Sequence, residues 1–126
     1  MISKGEAHCK RYVQRLFKRS FTKIRPDFLK DPTSKRNLEI DLYNDSLKIA
    51  IEYNGRQHYE FTRRFHKTYR DFRRQHERDI LKKRLCKENG VRLIVVPYNT
   101  SCIPGYIGRR LRKDNEVPLC LCGDCR

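Results

Sequence analysis

Apolar residues fall at every second position in two short runs of this chain, and acids interrupt the alternation. The runs are Asn37-Leu38-Glu39-Ile40-Asp41-Leu42 and Ile49-Ala50-Ile51-Glu52-Tyr53-Asn54. Alternation predicts strands, and Asn44-Asp45-Ser46-Leu47 reads as the loop of a hairpin flanked by Tyr43 and Lys48. This pairing sets Leu42 across from Ile49, Ile40 from Ile51 and Leu38 from Tyr53, which makes one apolar face. On the other face Asp41 lies opposite Ala50, and Glu52 is its diagonal neighbour. A slip of one residue would mix Asp41 with the isoleucines, so the pattern selects this pairing. Two ionised carboxylates that close repel by roughly 4 kcal/mol at an effective dielectric of about 20. A bound divalent cation removes that cost.

The period changes to that of a helix on either side of the hairpin. Ser3 and Glu6 read as a capping box that opens a helix to about Lys18, with Cys9, Val13, Leu16 and Phe17 facing inward. Phe21 to Arg36 contains Pro26 and Pro32 and reads mostly as loop. Arg56 to Lys67 is irregular. A long helix is expected over about Thr68 to Glu88, its buried stripe made by Tyr69, Phe72, His76 and Ile80 and widened by Leu81 and Leu85. Asn89-Gly90 stops it. Val91 to Tyr98 is apolar enough on both faces for a central strand, and Ile103 to Lys113 forms a short basic helix. The order predicts a small α/β sandwich with a mixed sheet flanked by helices over residues 1–113, followed by a Cys-rich tail at 114–126.

Charge narrows the partner. The chain has 126 residues, 30 Lys and Arg against 15 Asp and Glu, and a formal net charge of +15. Such an excess points to a polyanion, and the basic residues are interleaved with Tyr, Phe and His through the chain, which favours a nucleic acid, DNA or RNA, over a membrane surface. No segment is apolar long enough to span a bilayer, and the start lacks the apolar core of a signal peptide. An intracellular protein whose six cysteines are mostly reduced thiols is the expectation. Cys120, Cys122 and Cys125 with Cys102 or Cys86 could gather a zinc ion. Their spacing departs from a standard knuckle and no His lies in the tail, so zinc is not expected.

The polar positions, taken in order, are Glu6 on a helix, Asp41 on a strand, the run Ile51-Glu52-Tyr53-Asn54-Gly55-Arg56-Gln57-His58, and Arg78-Asp79 on a helix before Gly90 and a strand. This order resembles the PD-(D/E)XK nuclease superfamily over roughly Ser3 to Tyr98. Within it, the chain is most similar to very-short-patch-repair endonucleases and EDxHD-type phage homing endonucleases. The resemblance implies a restriction-endonuclease-like fold and Mg²⁺-dependent cleavage of DNA, with Mn²⁺ able to substitute. Asp41 would be the central metal ligand, Glu52 the second, and Glu6 would act through a water or a second site. His58 would take the proton of the attacking water and Asp79 would orient it. Asn54 stands where the superfamily usually has Lys, as expected of the His-using branch. Tyr53 replaces the additional His of the repair enzymes, which speaks against carrying over mismatch specificity.

Around His58, Arg56, Arg63, Arg64 and Lys67 are expected to bind phosphates, with Tyr59, Phe61 and Phe65 interleaved. Phe61 and Phe65 have an equal claim as anchors of the loop to the core. Lys82 and Lys83, one helical turn beyond Asp79, could each reach the scissile phosphate, and Lys82 is also a candidate for a migrated superfamily lysine. Arg109 and Arg110 head a second basic cluster. His66 is expected to contact DNA and His76 to face the core. The expected function is a metal-dependent DNA endonuclease of homing type or virus-encoded, with homodimerisation as one route to specificity. A repair or junction-resolving nickase and a non-catalytic basic DNA-binding protein remain the alternatives. A zinc-dependent RNA-binding module built on the tail is a weaker one.

Overall fold

The computed structural model describes residues 3–112. The expected tail, and with it the question of zinc at its cysteines, lies outside the described residues. A four-stranded mixed sheet carries helices on both faces. The first helix, α1 (Lys4–Phe17), opens at Ser3, whose hydroxyl accepts the Glu6 N–H at 3.1 Å, and closes at Lys18 in the left-handed region (φ 54°). Cys9 and Val13 are buried from it, and Leu16 and Phe17 pack at the margin of the same cluster. Gly5 is required by a close approach, because a Cβ there would collide with the Tyr53 ring.

The expected hairpin forms, with a different register. Strands β2 (Ile40–Asn44) and β3 (Ile49–Asn54) pair Leu42 with Ile51, Tyr43 with Ala50 and Asn44 with Ile49. Each β2 residue therefore faces a partner two positions further along than the hydrophobic pattern suggested. The loop explains the difference. Asn44 Oδ1 accepts Leu47 N–H and the Ser46 hydroxyl, both at 2.8 Å, and Lys48 takes the left-handed conformation at φ 55°. Asn44 thus closes the ladder as a strand residue, and the loop starts one residue later than the sequence implied. A shift by two would by itself preserve which side chains share a face, but the single apolar face expected of Leu38, Ile40 and Leu42 is broken: Leu42 packs with Ile49 and Ile51, whereas Ile40 and Leu38 pack on the other side.

The segment expected to be loop contains a further strand, β1 (Thr22–Ile24), antiparallel to β2. Thr22 pairs with Tyr43 and Ile24 with Ile40, so β2 holds one extra residue between them. This bulge sends Ile40 and Tyr43 to one side of the sheet and Leu42 to the other. Three residues next to Pro26 are too few to show a period.

On one face of the sheet, Leu42, Ile49, Ile51, Ile94 and Val96 meet α1 and the last helix, α3 (Ile103–Arg112), which contributes Ile103, Ile107 and Leu111. On the other, Tyr43 and Ala50 meet Cys86, Leu81 and Leu85 of α2 (Tyr69–Glu88). A capping box of Thr68 and Asp71 starts α2, and Gly90 at φ 71° follows its end. The side expected to be buried is buried only in part: Leu81 and Leu85 pack on the sheet and Phe72 is half-buried, but Tyr69 is 62% exposed, Ile80 is 56% exposed and His76 also faces solvent. Apolar residues occur on two sides of this very polar helix, and periodicity alone could not choose the packed one.

Strand β4 (Arg92–Pro97) runs parallel to β3, and the order β1-β2-β3-β4 makes it an edge strand among the described residues. The central position expected for it belongs to β3. Val96 and Ile94 are covered on one side and Leu93 on the other, so an edge strand held between two helical layers carries the apolar signature of a central one. Cys9 and Cys86 are buried free thiols, whereas Cys102 takes part in a disulfide, an exception to the expectation of reduced cysteines. Among the described residues no helix is long and apolar enough to cross a membrane.

Candidate functional site

Glu6, Asp41, Glu52, His58 and Asp79 all line one cleft of about 990 Å³, to which α1, β2, β3 and α2 contribute side chains. The ladder between β2 and β3 stops at Leu42, and the next residue turns its backbone to a side chain. Asp41 N–H donates to Glu52 Oε1 at 3.3 Å, while Tyr53 N–H donates to Asp41 Oδ2 at 3.1 Å. Each acid therefore satisfies an amide on the opposite strand, which fixes the pair without a packed side-chain wall. Lys82 Nζ adds an ion pair to Glu52 Oε1 at 3.0 Å. Asp41 Oδ1 and Glu52 Oε2 remain uncommitted to a protein donor among the described residues.

The electrostatics follow from this enclosure. Burial pushes the Glu52 carboxyl up to about 8, against the lowering effect of Lys82 and with a further rise from Asp41. Glu6 is also held above its ordinary value, first by burial and then by Asp41, and Lys23 at 3.6 Å opposes the shift. Three carboxylates thus sense one another across a small space. Among the described residues no three His, Cys, Asp or Glu side chains close around a single point. The donor chemistry of Asp41 and Glu52, two hard oxygens left open on adjacent carboxylates, fits a hard divalent cation. Glu6, 9% exposed, lines the same cleft and pairs with Lys23.

His58 follows β3 in a short turn of 3-10 helix, Arg56–His58. Its Nδ1 lies 2.8 Å from Asp79 Oδ2, the contact expected from the sequence. Its Nε2 meets Gln75 Nε2 at 3.3 Å. Gln75 escaped the sequence reading, although a signal for it existed. Gln75, Arg78, Asp79 and Lys82 recur at i, i+3, i+4 and i+7 on α2 and form a polar stripe, and all four line the cleft.

The expected DNA-contacting residues are divided by the structure. Arg64 lines the cleft, and Arg25, Arg36 and Arg78, not singled out beforehand as phosphate ligands, join it there. Arg56, Arg63, Lys67 and Lys83 are exposed outside that lining, with Arg56 paired to Glu60. Arg109 and Arg110 are exposed on α3, also outside it. Lys82 is not an open phosphate ligand here, because its ammonium is held by Glu52. His66, expected on the DNA surface, is 3% exposed and stacks on Phe61.

Comparison with known proteins places the chain among viral relatives. It is 48% identical over 110 residues to uncharacterized protein 094L of frog virus 3, covering 86% of this chain and 71% of the relative. The chain belongs to the 094L family. It is also 44% identical over 125 residues to uncharacterized protein 307L of invertebrate iridescent virus 6, covering 87% of this chain and 64% of that protein. Protein 033L of invertebrate iridescent virus 3 is 47% identical over 96 residues, of which this chain spans half the relative's length (50%). No family model matches the chain, and no solved structure matches it. These names assign no chemistry to the 094L family, which leaves the cleft to supply it.

Proposed function

We propose that this chain is a metal-dependent DNA endonuclease that cuts phosphodiesters by attack of an activated water. The observation that carries the reading is the placement of the His58–Asp79 pair in the same cleft as Asp41 and Glu52. An imidazole held by a carboxylate on one nitrogen, beside paired acids, is the arrangement that proton abstraction next to a cation requires. The order of Glu6, Asp41, Glu52, His58 and Asp79 resembles the His-using branch of the PD-(D/E)XK nucleases and supports the same reading.

A Mg²⁺ ion, with Mn²⁺ as a substitute, held by Asp41 and Glu52 would neutralise charge on the phosphate and make a bound water more acidic. His58 Nε2 accepts the proton of the attacking water. The water oxygen bonds to phosphorus, and the bond to the leaving sugar oxygen breaks with its electron pair on that oxygen. Asp79 holds the opposite ring nitrogen and stabilises the imidazolium that forms. Arg25, Arg36, Arg64 and Arg78 at the cleft bind backbone phosphates, in keeping with the excess positive charge of the chain. The acids would repel DNA without the cation, so chelation is expected to abolish cleavage and to weaken binding as well.

The test is digestion of linear, supercoiled, mismatched and four-way DNA with Mg²⁺ or Mn²⁺. Cleavage of one or more substrates, abolished by chelator and by His58→Ala, is expected. Retention of DNA binding without cleavage of any substrate would replace the enzyme with a basic DNA-binding protein on the same scaffold.

A further inference from the structure

Behind His58 a line of polar groups runs away from the cleft. The Thr62 backbone N–H meets His66 Nδ1 at 3.1 Å, His66 Nε2 meets Gln75 Oε1 at 2.7 Å, Gln75 Nε2 meets His58 Nε2 at 3.3 Å, and His58 Nδ1 meets Asp79 Oδ2 at 2.8 Å. The two ends of this line have no freedom. A backbone N–H only donates, and a carboxylate only accepts.

Starting from Thr62, every proton in the line is then determined. His66 Nδ1 must present a lone pair, so in the neutral ring its Nε2 carries the hydrogen and donates to Gln75 Oε1. The Gln75 amide is thereby oriented, and its NH₂ points at His58. His58 Nε2 must accept, and its proton resides on Nδ1, where Asp79 receives it. The polarity reached from Thr62 agrees with the polarity demanded by Asp79. Reversal of any single link would set donor against donor or acceptor against acceptor.

Burial makes the first half of the line rigid. His66 is 3% exposed, its ring stacked on Phe61 with centroids 5.8 Å apart and edge-on to Phe72 at 5.3 Å. Gln75 rides on α2 one turn before Asp79, so both partners of His58 are fixed by one helix.

We propose that His66 and Gln75 are positioning residues that hold His58 in the Nδ1–H tautomer, the Gln75 NH₂ occupying the single Nε2 lone pair until it gives way to the attacking water. The inference rests on the nuclease reading for its purpose, and on the hydrogen-bond line alone for its physical content. Asp79 favours the same tautomer from one side without fixing it. The line from Thr62 adds a selection from the other side, and it does so with a residue, His66, that touches neither substrate nor His58.

The experiment is long-range ¹H–¹⁵N spectroscopy of the histidine-labelled full chain, together with cleavage kinetics, for wild type, His66→Phe and Gln75→Glu. His66→Phe keeps the ring stack and removes both of its hydrogen bonds, which frees the Gln75 amide to turn. Gln75→Glu keeps the length and replaces the donor facing His58 with an acceptor. Wild-type His58 is expected to show a protonated Nδ1 and a pyridine-type Nε2. His66→Phe is expected to give averaged, mixed-tautomer signals at His58, with kcat lowered and KM for DNA held. Gln75→Glu is expected to place a proton on Nε2 and to lower kcat by about 10²-fold, the contribution of a positioned base.

A His58 signature unchanged in both variants would overturn the relay, whatever the kinetics. A wild type that cuts no DNA would sink the nuclease reading. The spectra would still decide whether the line sets the tautomer.

Discussion

Asp41 is bound to Glu52 through its own backbone, its N–H donating to Glu52 Oε1 at 3.3 Å where the β2–β3 ladder ends. A strand terminus thereby supplies part of the solvation that a buried carboxylate lacks, while the floor of the cleft keeps two acids side by side. Burial still wins, and Glu52 is pushed up to about 8.

That shift makes stability depend on pH in a defined direction. Between the ordinary value of 4.5 and about 8 the folded chain holds a proton at Glu52 that the unfolded chain has released. Stability contributed by this group is therefore complete below about 4.5 and declines as pH rises through that window, by an amount on the order of 4 kcal/mol. Glu52→Gln removes this component. Urea titrations at pH 5, 7 and 9 in chelator should show a flatter profile for the variant, with its largest relative gain at pH 9.

Lys82 counters the same charge. Replacement by Met keeps the aliphatic stem and leaves Glu52 without its ammonium partner. At pH 6 protonation of Glu52 absorbs the loss. At pH 9 Glu52 must either ionise without a partner or hold a proton that the unfolded chain has released, with an expected cost of about 1–3 kcal/mol. A difference between the two pH values in denaturant midpoints is the check, and equal midpoints at both would deny the pairing its energetic role.

Much of this geometry was legible beforehand, and the failures have identifiable physics. Acids at alternating positions announced that Asp41 and Glu52 would lie close, which their backbone-to-carboxylate hydrogen bond bears out, but the bulge in β2 that parts Ile40 from Leu42 left no sign in the alternation. His58 and Asp79 lay where the spacing of five polar positions suggested. The register was missed because Asn44 uses its side chain to build the turn, a competition that hydrophobic alternation does not encode. The packed side of α2 was misjudged because Tyr69 and Ile80 are apolar yet exposed, while the polar stripe Gln75, Arg78, Asp79 and Lys82 carried the stronger information. His66 was assigned to the DNA surface from its basic neighbours. Its burial comes from neighbours in the sequence, the Phe61 and Phe72 rings and the Thr62 N–H, which its basic surroundings overshadowed.

Asp79→Asn should separate orientation from binding. The amide can no longer stabilise the imidazolium or enforce one tautomer, so single-turnover cleavage is expected to fall about 10²- to 10⁴-fold. DNA affinity measured in Ca²⁺ should be unchanged, since Asp79 touches His58 and makes no phosphate contact in this account.

Binding itself should be strongly salt-dependent. Neutralisation of about six to ten phosphates by the basic cleft and its surroundings predicts a loss of about 10³–10⁵ in affinity between 50 and 200 mM salt. Removing Arg64 or Arg78 should weaken all DNA sequences alike and reduce the slope of log affinity against log salt by roughly one unit each. Sequence-selective losses would reassign these arginines to base contacts.

The most direct test of the central claim compares wild type with Asp41→Asn for DNA cleavage in Mg²⁺ and for DNA affinity in its absence. The account predicts that the variant stops cutting while its metal-free affinity holds or rises, because one repulsive charge beside the phosphate is gone. Cleavage that persists in the variant at the wild-type rate would contradict it.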